Sequence, residues 1–399
     1  MKIKTTNLFT FLFYTILILI VLKFTFSYLN IENGWWLRHL TPNINKYNFL
    51  HLPEDFQQYI EYVLIPLMLF YILSNISKWG SLVIPLALTL ILYALNIGTA
   101  LYNDIGVLPS LNYSLKICSP VYLFAVIIIE SKRTQLNLKR IVLFFVIILL
   151  LLSFIGLIVF DVTYNRGSFR WPVYFSGIHT HNYVLVVVFI AIAMLLRQRY
   201  WWLYGFLFFS LVFLFVGYNV RTAIVFYFLF IVVILYHSNV FFKHVYVKII
   251  SFLPFVFLSL FFLLRNIDLD SFSSGRLTMY SEKLSILKDY SVTDYLLGRG
   301  KGSDLITTSE WWWEKKSSHN DFLTYIVENG VPYMLMFITL ITSILTISRR
   351  ISVFNLVMIM GYFITSSISN GLATRPLAAD IFFIVYAYIY LNKREWQKQ

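Results

Sequence analysis

The amino-acid sequence predicts an all-α, polytopic membrane protein, and three observations predict it. Of 399 residues, 59% are hydrophobic and only 13% are charged, about half the roughly 25% charge of a soluble domain. Mean hydropathy is +0.73. Apolar runs close to the ~20 residues needed to cross a hydrocarbon core recur along the whole chain. The polar faces and loops of a soluble multidomain protein are missing.

The first run follows Met1-Lys2-Ile3-Lys4 and extends over 8–28 without a small-residue cleavage site. It reads as an uncleaved first helix rather than a signal peptide. Further spans are expected at 58–74, 82–102, 111–130, 140–160, 181–197, 201–217, 221–237, 246–264, 321–347, 353–369 and 377–392, about twelve in all. Two connections, 29–57 and 265–320, are too long to be simple turns. The expected organisation is one membrane domain over 1–399, with the large outer loop 265–320 inserted between the ninth and tenth helices.

The formal charge of +13 is distributed against nucleic-acid binding, because no basic helix or aromatic-basic stripe carries it. The cations sit in short clusters between apolar runs: Lys78, Lys132 to Arg140, Arg197 and Arg199, Lys243 and Lys248, Arg349 and Arg350, and Lys393 and Arg394. Only Glu130 and Glu395 oppose them there. The positive-inside rule then places both termini in the cytoplasm and the two long connections outside. A single cysteine, Cys118, excludes an internal disulfide framework and a cysteine-type metal site.

Within the large loop, Leu277, Tyr280, Leu284 and Leu287 recur at spacings of 3, 4 and 3, an amphipathic helix with Ser273 or Ser274 as its cap. Gly298-Arg299-Gly300-Lys301-Gly302 follows. It succeeds no strand, so it reads as a tight turn rather than a nucleotide loop. Trp311 to Trp313 suit an interfacial anchor.

Several residues could carry chemistry. Arg221 opens a helix whose next dozen residues are almost wholly apolar. An arginine there either faces a wet cavity or snorkels to the headgroups, and intramembrane charge is a functional hypothesis by default. Arg276 lies on the loop helix. His319, in Ser318-His319-Asn320-Asp321, stands where the loop re-enters the membrane. It is either a proton-transfer group or a histidine beside a helix cap. Arg166 and Arg170 could bind phosphate or be solvated loop charges. His179 and His181 stand two apart with no third ligand at a known spacing, so a metal site is not expected. His181, Asn320, Arg299 and Arg375 complete the candidate binding residues. Several arginines with one histidine suit a polyanionic donor: guanidinium groups hold a leaving group while an imidazole takes a proton.

In order and spacing these landmarks resemble the bacterial superfamily of O-antigen polymerases and O-antigen ligases, which are polytopic membrane glycosyltransferases. Arg221-Thr222-Ala223 resembles the family's arginine at a helix start. Ser274-Gly275-Arg276 with Leu296-Leu297-Gly298-Arg299-Gly300 resembles the start of its large loop, and Ser318-His319-Asn320-Asp321 with Glu328-Asn329-Gly330 resembles the loop's exit. The match covers about 160–345; the first five helices are generic. The resemblance implies a glycan on undecaprenyl pyrophosphate as donor, with neither nucleotide sugar nor metal nor other cofactor. It also implies Arg221 and Arg276 on the pyrophosphate and His319 as the base. The chain departs from the family at His181-Asn182, where many members carry Pro-Asn. The expectation is a polymerase of lipid-linked repeat units, acting on the outer face of the cytoplasmic membrane, with a chain-length regulator as a candidate partner. A ligase that transfers polymer to lipid A-core shares every landmark. A flippase without chemistry would instead distribute polar groups along a mid-membrane pathway.

Overall fold

A computed structural model describes residues 5–30, 48–53, 56–160, 163–165, 168–237, 275–309, 311–347, 352–369 and 376–392. Among the described residues the chain is all-α apart from two short hairpins. Among the described residues seven helices are long and apolar enough to cross a membrane by length and composition, which is consistent with a polytopic membrane protein.

The helices in chain order are α1 (Thr5–Thr25), α2 (Phe56–Leu73), α3 (Val83–Tyr102), α4 (Val107–Arg133), α5 (Leu138–Val159), α6 (Ile178–Leu196), α7 (Tyr200–Gly217) and α8 (Arg221–His237). In the loop and beyond come α9 (Arg276–Ile286), α10 (Val292–Leu297), α11 (Asp321–Thr346), α12 (Val353–Ser367) and α13 (Pro376–Leu391). An apolar helix stands at every expected span except 246–264, which lies outside the described residues. Four of these, α7, α8, α12 and α13, are the shorter ones.

Burial separates the helices. On α6 every residue from Thr180 to Ala191 is buried, and on α13 every residue from Leu377 to Ile389. A helix apolar all round belongs in an interior, and these two pack on each other. By contrast α1, α5 and α7 turn Phe11, Ile18, Phe154 and Phe209 outward. Large apolar side chains on that scale suit contact with lipid. Caps fix several starts: Asn137 accepts from the Arg140 amide, Ser352 from Asn355, and Ser291 forms a capping box with Asp294.

The strands were not legible in the sequence. β1 (Thr163–Asn165) pairs antiparallel with β2 (Ser168–Arg170), and β3 (Ile306–Thr308) with β4 (Trp311–Lys316). Runs of three residues, the length of β1, β2 and β3, are too short for an alternation signal. The three tryptophans therefore lie on a strand; Trp312 and Trp313 are exposed. The loop helix begins at Arg276 with Gly275 in the cap position at φ 75°. The serine cap expected at 273 or 274 lies outside the described residues.

The chain forms two compact units. One comprises Met1–Leu86, Leu115–Phe228 and Leu372–Lys398; the other comprises Ala87–Ser114 and Leu229–Gly371.

Candidate functional site

The second unit is organised around a break in α11. Gly330 takes φ 83° and ψ 169° inside the helix. Pro332, two residues on, has no N–H for the Glu328 carbonyl four residues back. The break leaves the carbonyls of Val327 and Glu328 without helical partners, and backbone groups in apolar surroundings need them. The glycine turn supplies them: the Arg299 amide donates to Val327 O at 3.0 Å and the Gly300 amide to Glu328 O at 2.9 Å. The Tyr290 hydroxyl adds a second bond to Val327 O at 3.0 Å. So close an approach explains the glycines. A Cβ on Gly298 would stand 2.3 Å from the Glu328 carbonyl carbon, and one on Gly330 would stand 2.5 Å from Leu296 O. The expected tight turn is present, with Gly298, Gly300 and Gly302 all at positive φ.

Next to this contact sits a buried hub. The Lys283 ammonium donates to Asp304 O at 2.6 Å, Asp304 Oδ1 at 3.1 Å and Lys316 O at 2.7 Å. Lys283 and Asp304 side chains are both fully buried. Burial lowers the Lys283 ammonium below its usual range, with Asp304 opposing. Asp304 Oδ2 accepts from the Ser318 amide at 2.7 Å, Ser318 Oγ at 2.9 Å and Thr324 Oγ1 at 2.8 Å. The hub thereby fixes the residue before His319. The residue after it, Asn320, caps α11 by accepting from the Phe322 amide at 3.1 Å. Held from both sides, His319 adopts φ 51° and remains partly exposed. That left-handed conformation is uncommon outside glycine and clusters at functional positions.

Arg276, the first residue of α9, donates to the Ile368 carbonyl at 2.9 Å, the C-cap of α12. A cation suits that helix end. One turn along α9, the Tyr280 hydroxyl is buried without a partner at hydrogen-bonding geometry. Arg276 and Asn320 are the polar side chains that act on it, and burial pushes its phenol up while Arg276 pulls it back. The second unit thus gathers Arg276, Tyr280, His319 and Asn320 in one corner.

In the first unit, Arg170 and Arg221 are close enough to repel. Desolvation, and after it the Arg221 charge, lower the Arg170 guanidinium from its usual value. The neighbouring Trp171 explains how. Its amide donates to Gly217 O at 3.0 Å and its ring lies on Phe213, 4.7 Å between centroids. A Cβ on Gly217 would meet the Trp171 ring at 2.5 Å, so only glycine lets the strand end settle against α7 and bring Arg170 towards α8. Two guanidinium groups at a helix N-terminus suit an anion.

Two candidate residues do other work. His181, expected at the substrate, is fully buried. Its Nδ1 accepts from the Tyr174 amide at 3.2 Å, its Nε2 pairs with the Tyr218 hydroxyl at 3.0 Å, and that hydroxyl donates to Pro172 O at 3.2 Å. An accepting Nδ1 places the proton on Nε2, which makes His181 a brace for segment 172–175. Arg299 is likewise engaged inside the loop. It donates to Asp289 O at 2.7 Å and pairs with Asp294 at 3.4 Å, and its guanidinium lies 4.3 Å from the Tyr290 ring centroid. Arg166 and Arg375 lie outside the described residues.

Asp304, Lys283 and Tyr280 escaped sequence reasoning; Asp304 and Lys283 stand 21 residues apart with no spacing rule to join them. Among the described residues no group of three or more His, Cys, Asp or Glu side chains is placed to hold a metal ion. No family model matches the chain, and no curated protein or solved structure shows a significant match to it.

Proposed function

We propose that the protein is a membrane glycosyltransferase that joins undecaprenyl-pyrophosphate-linked oligosaccharide units into a surface polysaccharide of the O-antigen kind. In this reading the chain crosses the cytoplasmic membrane about twelve times, with both termini inside and the chemistry on the outer face. The observation that carries it is His319, a partly exposed imidazole locked at φ 51° between two anchored neighbours, beside Arg276 and the buried Tyr280 hydroxyl.

His319 takes the proton from an acceptor sugar hydroxyl. That oxygen bonds to the anomeric carbon of the donor, and the bond from this carbon to the pyrophosphate oxygen breaks. The electron pair leaves with undecaprenyl pyrophosphate, so the atoms balance without a metal or nucleotide. Arg276 and Tyr280 supply donors to the pyrophosphate. Within the first unit, Arg170 and Arg221 form a two-arginine anion site, where a phosphate relieves the repulsion between them. A positioned general base contributes about 10²–10⁴-fold, so His319→Gln should lower polymerisation by about that factor. Arg221→Lys, which keeps charge but loses the two-pronged geometry, should weaken anion binding in the first unit.

The test is the glycan on the lipid carrier in a strain lacking this gene and complemented with each variant. A single repeat on the carrier, restored to a ladder by the wild type and not by His319→Gln, is the expected result. Long polymer accumulating on the carrier would make the protein a ligase and overturn the proposal.

A further inference from the structure

Two buried carboxylates in this protein are fully satisfied. Asp304 accepts from Lys283, Ser318 and Thr324. Glu130, at the end of α4, accepts from Arg133 at 2.8 Å, from the Tyr71 hydroxyl and from Thr10 at 3.2 Å. Every oxygen of both has a donor.

A third cluster breaks this pattern. Lys23 in the last turn of α1, Glu61 in α2 and Asp380 in α13 meet inside the first unit. The Lys23 Nζ pairs with Glu61 Oε2 and, at 2.8 Å, with Asp380 Oδ2. The relative exposures are 1%, 3% and 0%. Glu61 Oε1 and Asp380 Oδ1 are both buried without any hydrogen-bond partner. Two carboxylates and one ammonium leave an excess of one negative charge in apolar surroundings. Such a charge is too costly to stand unbalanced.

No neighbouring cation balances it among the described residues. The charged groups acting on Asp380 are Lys23 and Glu61, and those acting on Lys23 are the same two carboxylates. α6, packed on α13, brings His179, His181 and Tyr183; His181 is engaged with Tyr218, Tyr174 and Phe175. α5, packed on α1 and α13, carries its cations Lys139 and Arg140 in its first turn, and its C-terminal half has no ionisable side chain. The tyrosines of these helices carry no charge near neutral pH.

We propose that Lys23, Glu61 and Asp380 form a proton-binding site inside the membrane helices, in which one exchangeable proton held by the two carboxylates balances the excess charge. The two carboxylates share one Nζ and so lie side by side, the arrangement in which like acids hold a single proton between them. A proton also needs only one oxygen to bind and one to accept, which the two orphan oxygens provide. A metal cation such as magnesium or calcium requires about six or more oxygen ligands.

The experiment is infrared spectroscopy of the full-length protein in lipid nanodiscs at neutral pH, with hydrogen–deuterium exchange to mark protonated carboxyls. Wild type should show one protonated carboxyl band that shifts in heavy water. Asp380→Asn and Glu61→Gln each leave a neutral lysine–carboxylate pair and should lose the band. Lys23→Met should keep it and add a second. The three substitutions are close in volume, and the wild-type spectrum stands without them. No band in the wild type, or a band unchanged in both amide variants, would overturn the proposal. So would an absent band together with a sodium-dependent rise in thermal midpoint, which would assign the site to a metal cation.

Discussion

Among the described residues stand two buried lysine–aspartate pairs, one in each unit, and they are built to opposite standards. Around Lys283 and Asp304 the three ammonium hydrogens meet three oxygens, and the second carboxylate oxygen collects three further donors. Around Lys23 a second acid, Glu61, has been added and two oxygens are left over. The first arrangement has no capacity for another group and holds His319 in place. The second is one positive charge short. Saturation marks a polar cluster that maintains structure; deficit marks one that interacts with something else.

Removing the Asp304 carboxylate should have the largest effect. Asp304→Ala leaves the Lys283 ammonium buried and uncompensated, a loss of about 3–5 kcal/mol, with His319 released and activity lost. Thermal unfolding in detergent and the glycan ladder would register both. Gly298→Ala comes next. The new Cβ overlaps the α11 backbone at positive φ, at a cost on the order of 3 kcal/mol. Lys283→Met leaves the buried Asp304 carboxylate without its counter-charge, though three donors remain on Oδ2, so its cost should be about 3 kcal/mol. Arg299→Ala should cost only about 1 kcal/mol and leave polymerisation measurable, separating this structural arginine from Arg221. The smallest change is expected for Asp380→Asn, which lets the triad become neutral without a proton and should shift stability by less than about 1 kcal/mol. If Asp380→Asn proved as damaging as Asp304→Ala, the difference between the two pairs would disappear.

Membrane helices were legible because an apolar run of the right length has few other uses. The glycine turn was legible for a similar reason: three glycines at alternate positions state that backbone must come close to something. What it comes close to was not legible. Gly330 and Pro332 stand in the sequence, yet nothing in their spacing points back some thirty residues to Gly298. Arginines were the least legible residues. Arg299 and Arg276 look alike as letters, and only the position of Tyr290 and Asp289 separates a loop staple from a candidate site. The triad left a signal that went unread, since Lys23, Glu61 and Asp380 each interrupt an apolar run. An ionisable residue inside a span is a functional hypothesis wherever it occurs, although 357 residues separate Lys23 from Asp380.

The docking of the glycine turn onto the broken helix has an evolutionary consequence. Gly298 is required only while the α11 backbone lies against it, and the break at Gly330 is tolerable only while amides 299 and 300 cover the freed carbonyls. Neither feature has a reason to persist without the other. Homologous sequences should therefore keep or lose the two glycines and Pro332 as a group, drifting together rather than independently. A lineage with a larger residue at 298 should also have an uninterrupted helix at 330.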